Sequence, residues 1–144
     1  MTKNTLTDSE KLAILCAQAA EDKLAENTII LDLNEITIAS SKYLVICNCP
    51  STTQVKSITD NILNEAVNHG LKKPRIEGQE NSEWVILDFF DVVVHIFLSE
   101  NRAYYKLEKL WADANFYTVN ENAELLDTEY ESIKVELEKI ENEI

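Results

Sequence analysis

The chain predicts an α/β sandwich built on a mixed sheet and finished by a C-terminal helix, and three observations carry that prediction. Segments with a helical period alternate with short β-rich runs through the first half of its 144 residues. Two further β-rich runs, Trp84 to Asp88 and Val92 to Phe97, lie close enough to pair as a hairpin. The last thirty residues repeat apolar positions at alternating four- and three-residue steps.

The elements follow in order. Thr7-x-x-Glu10 is a capping box, and Leu12, Leu15, Cys16, Ala19 and Lys23 follow it, predicting an amphipathic helix over residues 8 to 26. Ile29 to Leu33 and Tyr43 to Asn48 are β-branched or aromatic runs suited to buried strands, and Ile36 and Ile38 between them could extend either one. Pro50 ends the second run. Ser51, Thr52 or Thr53 then caps a helix whose inner positions are Val55, Ile58, Ile62, Leu63 and Ala66, and Gly70 stops it. Arg75-Ile76-Glu77 is a short strand, and Gly78 to Ser82 is the turn before the hairpin. Ser99 is expected to cap a helix running to about Asp113, with Tyr104, Leu107, Leu110 and Trp111 on one face and Arg102, Lys106 and Lys109 pointing elsewhere. Asn115 to Asn120 reads as a joint. Beyond it Leu126, Tyr130, Ile133, Leu137, Ile140 and Ile144 predict a terminal helix, so the expected division is a domain over 1–114 and an acidic helical extension over 115–144.

Charge narrows the partner. The formal net charge is −13, and residues 121–144 supply −7 of it from nine acidic and two basic residues. Nucleic-acid affinity comes largely from Lys and Arg neutralising phosphates, so little direct nucleic-acid contact is expected and a basic protein partner fits better. No apolar run is long enough for a membrane span and MTKNTLTDSEK lacks the core of a signal peptide, so the expected location is cytoplasmic. An odd number of cysteines, Cys16, Cys47 and Cys49, suits reduced thiols. Cys47-x-Cys49 with distant His69 and His95 lacks the spacing of a zinc site, and no metal or cofactor is expected.

Candidate chemistry concentrates in WVILDFFDVVVHIFLSENRAYYKLEKLW, residues 84–111. Asp88, Asp91 and His95 form an inventory that could serve acid–base or metal chemistry. Strand alternation argues against a simple grouping, since it places His95 with Val93 and Phe97 and leaves both aspartates at the ends of the turn. With only Gly70 and Gly78 in the chain there is no glycine-rich phosphate loop. Cys49 or Ser51 at the start of the second helix could use the helix dipole, although capping explains the Ser/Thr cluster more simply.

Taken together, SKYLVICNCPSTTQVKSITDNI, the Glu77-Gly78 step and residues 84–111 resemble the ribosomal silencing factor (RsfS, or Iojap-like) family over about residues 8 to 113. The most specific pieces are Asp88-x-x-Asp91-Val92-Val93-Val94-His95 and Tyr105-x-Leu107-Glu108-Lys109-Leu110-Trp111. The resemblance implies a mixed-sheet domain related to the nucleotidyltransferase fold and no enzymatic role. It implies binding to the basic large-subunit ribosomal protein L-fourteen, obstruction of small-subunit joining and repression of translation when nutrients are scarce. On that basis the expected contact residues are Trp84, Asp88, Asp91, Tyr105 and Glu108. The rival reading is a metal-dependent nucleotidyltransferase-like enzyme using Asp88 and Asp91. Relatives that self-associate, with the terminal heptad pattern, leave a homodimer as an expectation.

Three departures from the family pattern stand out. Asn48-Cys49-Pro50 replaces a Thr-Gly-type step, Phe90 occupies a position where relatives often carry glycine, and the acidic tail extends past the resemblance. A side chain at position 90 disfavours positive φ, so the hairpin turn is expected to be altered there.

Overall fold

A computed structural model describes residues 6–143. Helix α1 (Asp8–Glu21) opens on the anticipated capping box: Thr7 Oγ1 accepts from the Glu10 amide at 3.1 Å and Glu10 Oε1 accepts from the Thr7 amide at 2.9 Å. It is shorter than its periodicity suggested, because Leu24 turns to φ 66° and strand β1 (Glu26–Asp32) begins two residues later. Ile36 and Ile38 extend neither neighbouring strand. They lie in the turns that lead to β2 (Tyr43–Cys49), in which every residue is buried.

Ser51 caps α2 (Thr52–Asn68) by accepting from the Gln54 amide at 3.2 Å, and Gly70, at φ 74°, follows the helix end. Strands β3 (Arg75–Glu77), β4 (Trp84–Asp88) and β5 (Val92–Leu98) follow as anticipated. Phe90 adopts φ 81°, so the turn keeps the left-handed conformation without glycine.

The predicted helix from Ser99 to Asp113 is instead two pieces, α3 (Ser99–Tyr105) and α4 (Leu107–Leu110), separated by Lys106 in the left-handed region at φ 51° and ψ 48°. Ser99 makes no side-chain cap there; its Oγ accepts from Asn48 Nδ2 at 2.8 Å. The expected joint is also strand. β6 (Asn115–Val119) pairs antiparallel with β1, and β7 (Leu125–Thr128), which includes Leu126 of the heptad pattern, pairs with β6. Helix α5 (Tyr130–Glu143) closes the described chain, and Ile144 of the heptad pattern lies outside it.

Among the described residues the seven strands form one sheet in the order β3-β4-β5-β2-β1-β6-β7, parallel between β2 and β5 and antiparallel elsewhere. The sheet is thus mixed, with helices on both faces. On one face α1 and α2 cover Ile30, Val45, Cys47, Val85, Leu87, Val92, Val94 and Ile96. On the other, α5 contributes buried Ile133 and Leu137 to a cluster with Ile29, Leu31, Ile46, Phe97 and Phe116. The apolar seam of the terminal helix therefore packs on its own sheet. Towards β3 and β4 this second face is left open: Arg75 and Glu77 are exposed, and Trp84, Ile86 and Asp88 are half-buried.

Candidate recognition face

Alternation along β4 sends Val85 and Leu87 into the α1/α2 core and turns Trp84, Ile86 and Asp88 to the open face. Across the ladder Trp84 lies opposite Phe97, Ile86 opposite His95, and Asp88 opposite Val93. The indole stacks on the Phe97 ring with centroids 4.7 Å apart, and Tyr105, arriving from the end of α3, tilts against it at 4.9 Å. Trp84 Nε1 donates to His95 Nδ1 at 3.0 Å. Tyr104 continues the aromatic surface outward, edge-on to Tyr105 at 5.0 Å. Tyr104 is 77% exposed and Tyr105 50%, so the tyrosine step faces solvent, as two adjacent helical residues that cannot share one core must partly do.

The two aspartates do not converge. Asp88 Oδ1 accepts from the Phe90 amide at 2.8 Å and holds the turn on the side of Trp84. Asp91 points towards α1, where its Oδ2 accepts from Ser9 Oγ at 3.1 Å and lies 3.8 Å from Lys42 Nζ. The Asp91 carbonyl also accepts from the amides of Lys42 and Tyr43. Turn formation thus occupies the Asp88 side chain, while that of Asp91 ties the hairpin to Ser9 and Lys42.

Glu108 corrects a surface expectation, for its carboxylate is only 1% exposed. Arg102 corrects another. It was expected to point away from the helix's packed face, yet it is fully buried and its Nε donates to Glu108 Oε2 at 2.7 Å. Arg102 Nη1 also donates to the Asn27 carbonyl at 2.6 Å and to Asn48 Oδ1 at 3.0 Å. The Asn27 carbonyl is available because the β1/β2 register slips between Glu26 and Ile29, with Asn27 at φ 50°. The left-handed step at Lys106 lets the chain double back so that Glu108 meets a side chain six residues earlier. Periodicity treats charged residues as solvated. The sequence hint to this network was Asn48, a polar residue in an otherwise apolar strand.

Elsewhere the titratable groups suit packing. Burial pushes the Cys16 and Cys47 thiols up to about 12 and Cys49 up to about 11, so none is a thiolate at neutral pH. Cys49 Sγ donates to the Ser51 carbonyl at 3.6 Å. Burial lowers His95 to about 4, which keeps its imidazole neutral. Among the described residues no group of three or more His, Cys, Asp or Glu side chains is placed to hold a metal ion, and no helix is long and apolar enough to cross a membrane.

The family model for "Ribosomal silencing factor during starvation" matches residues 6–142. The chain belongs to the ribosomal silencing factor family. That match includes the acidic segment, which the sequence resemblance had left outside the family core. The chain is 40% identical over 106 residues to a "Ribosomal silencing factor RsfS" of Halalkalibacterium halodurans, an alignment covering 74% of this chain and 90% of that one. It is 30% identical over 102 residues to "Protein Iojap, chloroplastic" of Zea mays, covering 71% of this chain and 44% of that one. Among solved structures, a Chromobacterium violaceum protein superposes with a TM-score of 0.69 at 30% identity, covering 73% of this chain and 87% of the other. In this ribosomal silencing factor family member, the open face of β3 to β5 carries the aromatic stack of Trp84, Phe97 and Tyr105 together with the Asp88 and Glu77 carboxylates.

Proposed function

We propose that the chain silences translation by binding the large ribosomal subunit through the basic protein L-fourteen and occupying the surface where the small subunit would dock. The observation that carries this reading is the face left uncovered by helices, where Trp84, Tyr105 and Tyr104 form an aromatic strip at one end of β4 and Asp88 lies on the same face at the other. Aromatics at a partly open site supply area that a partner can desolvate, and carboxylates nearby select Arg or Lys. The net charge of −13 adds attraction to a cationic protein over longer range. Trp84, Asp88 and Tyr105 are the central contacts in this reading and Asp91 a peripheral one, while Glu108 acts from inside by holding α4 to α3. The site of action is the cytoplasm.

No observation favours the enzyme reading. Asp88 and Asp91 turn to different sides of the hairpin, and the His95 nitrogen facing Trp84 is already engaged. Cosedimentation of the full chain with purified large subunits tests the proposal, together with inhibition of subunit reassociation followed by light scattering. Both are expected for the unaltered chain and both are expected to be lost on Trp84→Ala. Metal-dependent nucleotide turnover abolished by Asp88→Asn would overturn it.

A further inference from the structure

Trp84 is gripped on three sides, and the third grip has chemical consequences for whatever it meets. Phe97 stacks against the indole from the facing strand, and Tyr105 tilts against it from α3. His95 sits diagonal to Trp84 across the β4/β5 ladder and takes the indole's single polar atom, Nε1, in a hydrogen bond of 3.0 Å. His95 is only 8% exposed. The backbone of the same tryptophan packs closely on Gly78, where an added Cβ would meet the Trp84 carbonyl oxygen at 2.0 Å.

We propose that His95 is the positioning residue of the recognition face, turning the polar edge of Trp84 inward so that the indole meets its partner as a π surface with no donor to offer. The inference rests on the functional reading above and says what that surface selects. Nδ1 must be the unprotonated nitrogen to accept, so the imidazole carries its proton on Nε2. A proton on Nδ1 would point at the indole N–H and drive the two rings apart. With its donor spent, Trp84 has nothing to give a carbonyl, a carboxylate or a phosphate. What fits against it is aliphatic surface or the flat face of a guanidinium, the groups a basic protein presents and a phosphate backbone does not.

Two substitutions separate positioning from bulk packing. In His95→Asn the side-chain Oδ1 takes the place of Nδ1 and still accepts; in His95→Leu the volume is kept and the acceptor is gone. The full-length variants are compared for affinity to purified large subunits and for exchange of the Trp84 indole proton by NMR, with Trp111 as the internal reference. His95→Leu is expected to weaken binding about tenfold or more, an effect of the size found for a displaced interface anchor, and to speed exchange of the Trp84 indole proton while that of Trp111 is unchanged. His95→Asn is expected to stay within about threefold of the unaltered chain, because the acceptor persists. Unchanged binding in His95→Leu, or an Asn variant as weak as the Leu variant, overturns the proposal. Failure of the unaltered chain to bind large subunits overturns the ribosomal reading itself, and indole exchange then still decides whether His95 holds the ring.

Discussion

Arg102 and Glu108 form an ion pair that excludes solvent: Nε donates to Oε2 at 2.7 Å, with the two side chains 0% and 1% exposed. Arg102 Nη2 and Glu108 Oε1 have no partner among the described residues, so the pair is held through one bond of its own and through the Asn27 and Asn48 contacts of the guanidinium. Removing one member of a buried pair strands the other charge, which costs about 3–5 kcal/mol. Glu108→Ala is expected to lower the urea midpoint accordingly with an unchanged slope, and Glu108→Gln to lose less because it can still accept from Nε. An Ala variant as stable as the unaltered chain would mean that the pair does not hold α3 and α4 together.

The His95 imidazole makes folding sensitive to acid. Its value falls from 6.5 to about 4 on folding because burial penalises the cation, so between those limits the unfolded chain binds a proton that the folded chain does not. Stability therefore rises with pH across that window. The contribution is fully present above pH 6.5 and is lost as pH drops towards 4, about 3 kcal/mol at most by linkage. Exposed Glu77 shares the row of the open face that holds Ile86 and His95. Denaturation midpoints measured from pH 4 to 7 are expected to show this slope in the unaltered chain and a shallower one in His95→Asn.

Two glycines should respond differently to the same change. Gly78→Ala puts a methyl group into the Trp84 carbonyl at a residue whose φ is +85°, combining left-handed strain with backbone overlap. A loss of about 3 kcal/mol is expected, larger than left-handed strain alone. Gly70, at φ +74°, has nothing within 4 Å of an added Cβ, so Gly70→Ala is expected to cost only about 1 kcal/mol. Thermal or urea denaturation of the pair measures the difference.

Phe90 is the reverse case, a large side chain 80% exposed at φ 81°. Phe90→Gly relieves left-handed strain of about 1–2 kcal/mol, partly offset by the extra freedom glycine gives the unfolded chain. Stability is expected to be unchanged or higher by up to about 1 kcal/mol. A clear loss in denaturation would show that the ring packs in a way its exposure contradicts.

Residues 115–144 should unfold with the rest of the chain. Strand β6 supplies the ladder partner of β1, and Phe116, Ile133 and Leu137 complete the second core. Burying each such side chain contributes about 1.5–3 kcal/mol, together comparable to a typical domain's whole margin. A chain ending at residue 114 is expected to lose cooperative unfolding and to associate through the freed β1 edge. A monomeric, cooperatively folded fragment would instead establish the boundary that the sequence suggests.

Much of the chain as far as β5 was legible because local chemistry and final environment agree there. Thr7 and Glu10 close their own box, Ser51 caps its own helix, and β4 and β5 alternate so that Val92, Val94 and Ile96 face one core and His95 and Phe97 the other. The family motif also marked the segment that carries the open face. The chain after β5 misled where its outcome depends on partners distant in sequence. Phe116 to Val119 has the aromatic and β-branched composition of a strand, a signal masked by the flanking Asn115 and Asn120, and β1 offers it a free ladder edge.

The amino-acid order by itself determined the alternating elements, the hairpin with its aspartate ends, the acidic balance and the family, since capping, period and charge act within a few residues. Only the tertiary structure decided that Glu108 lies inside while Tyr104 lies outside, that Asp88 and Asp91 diverge, and that His95 holds Trp84. Those outcomes depend on desolvation and on contacts between strands and helices, which no local pattern of charge or hydropathy records.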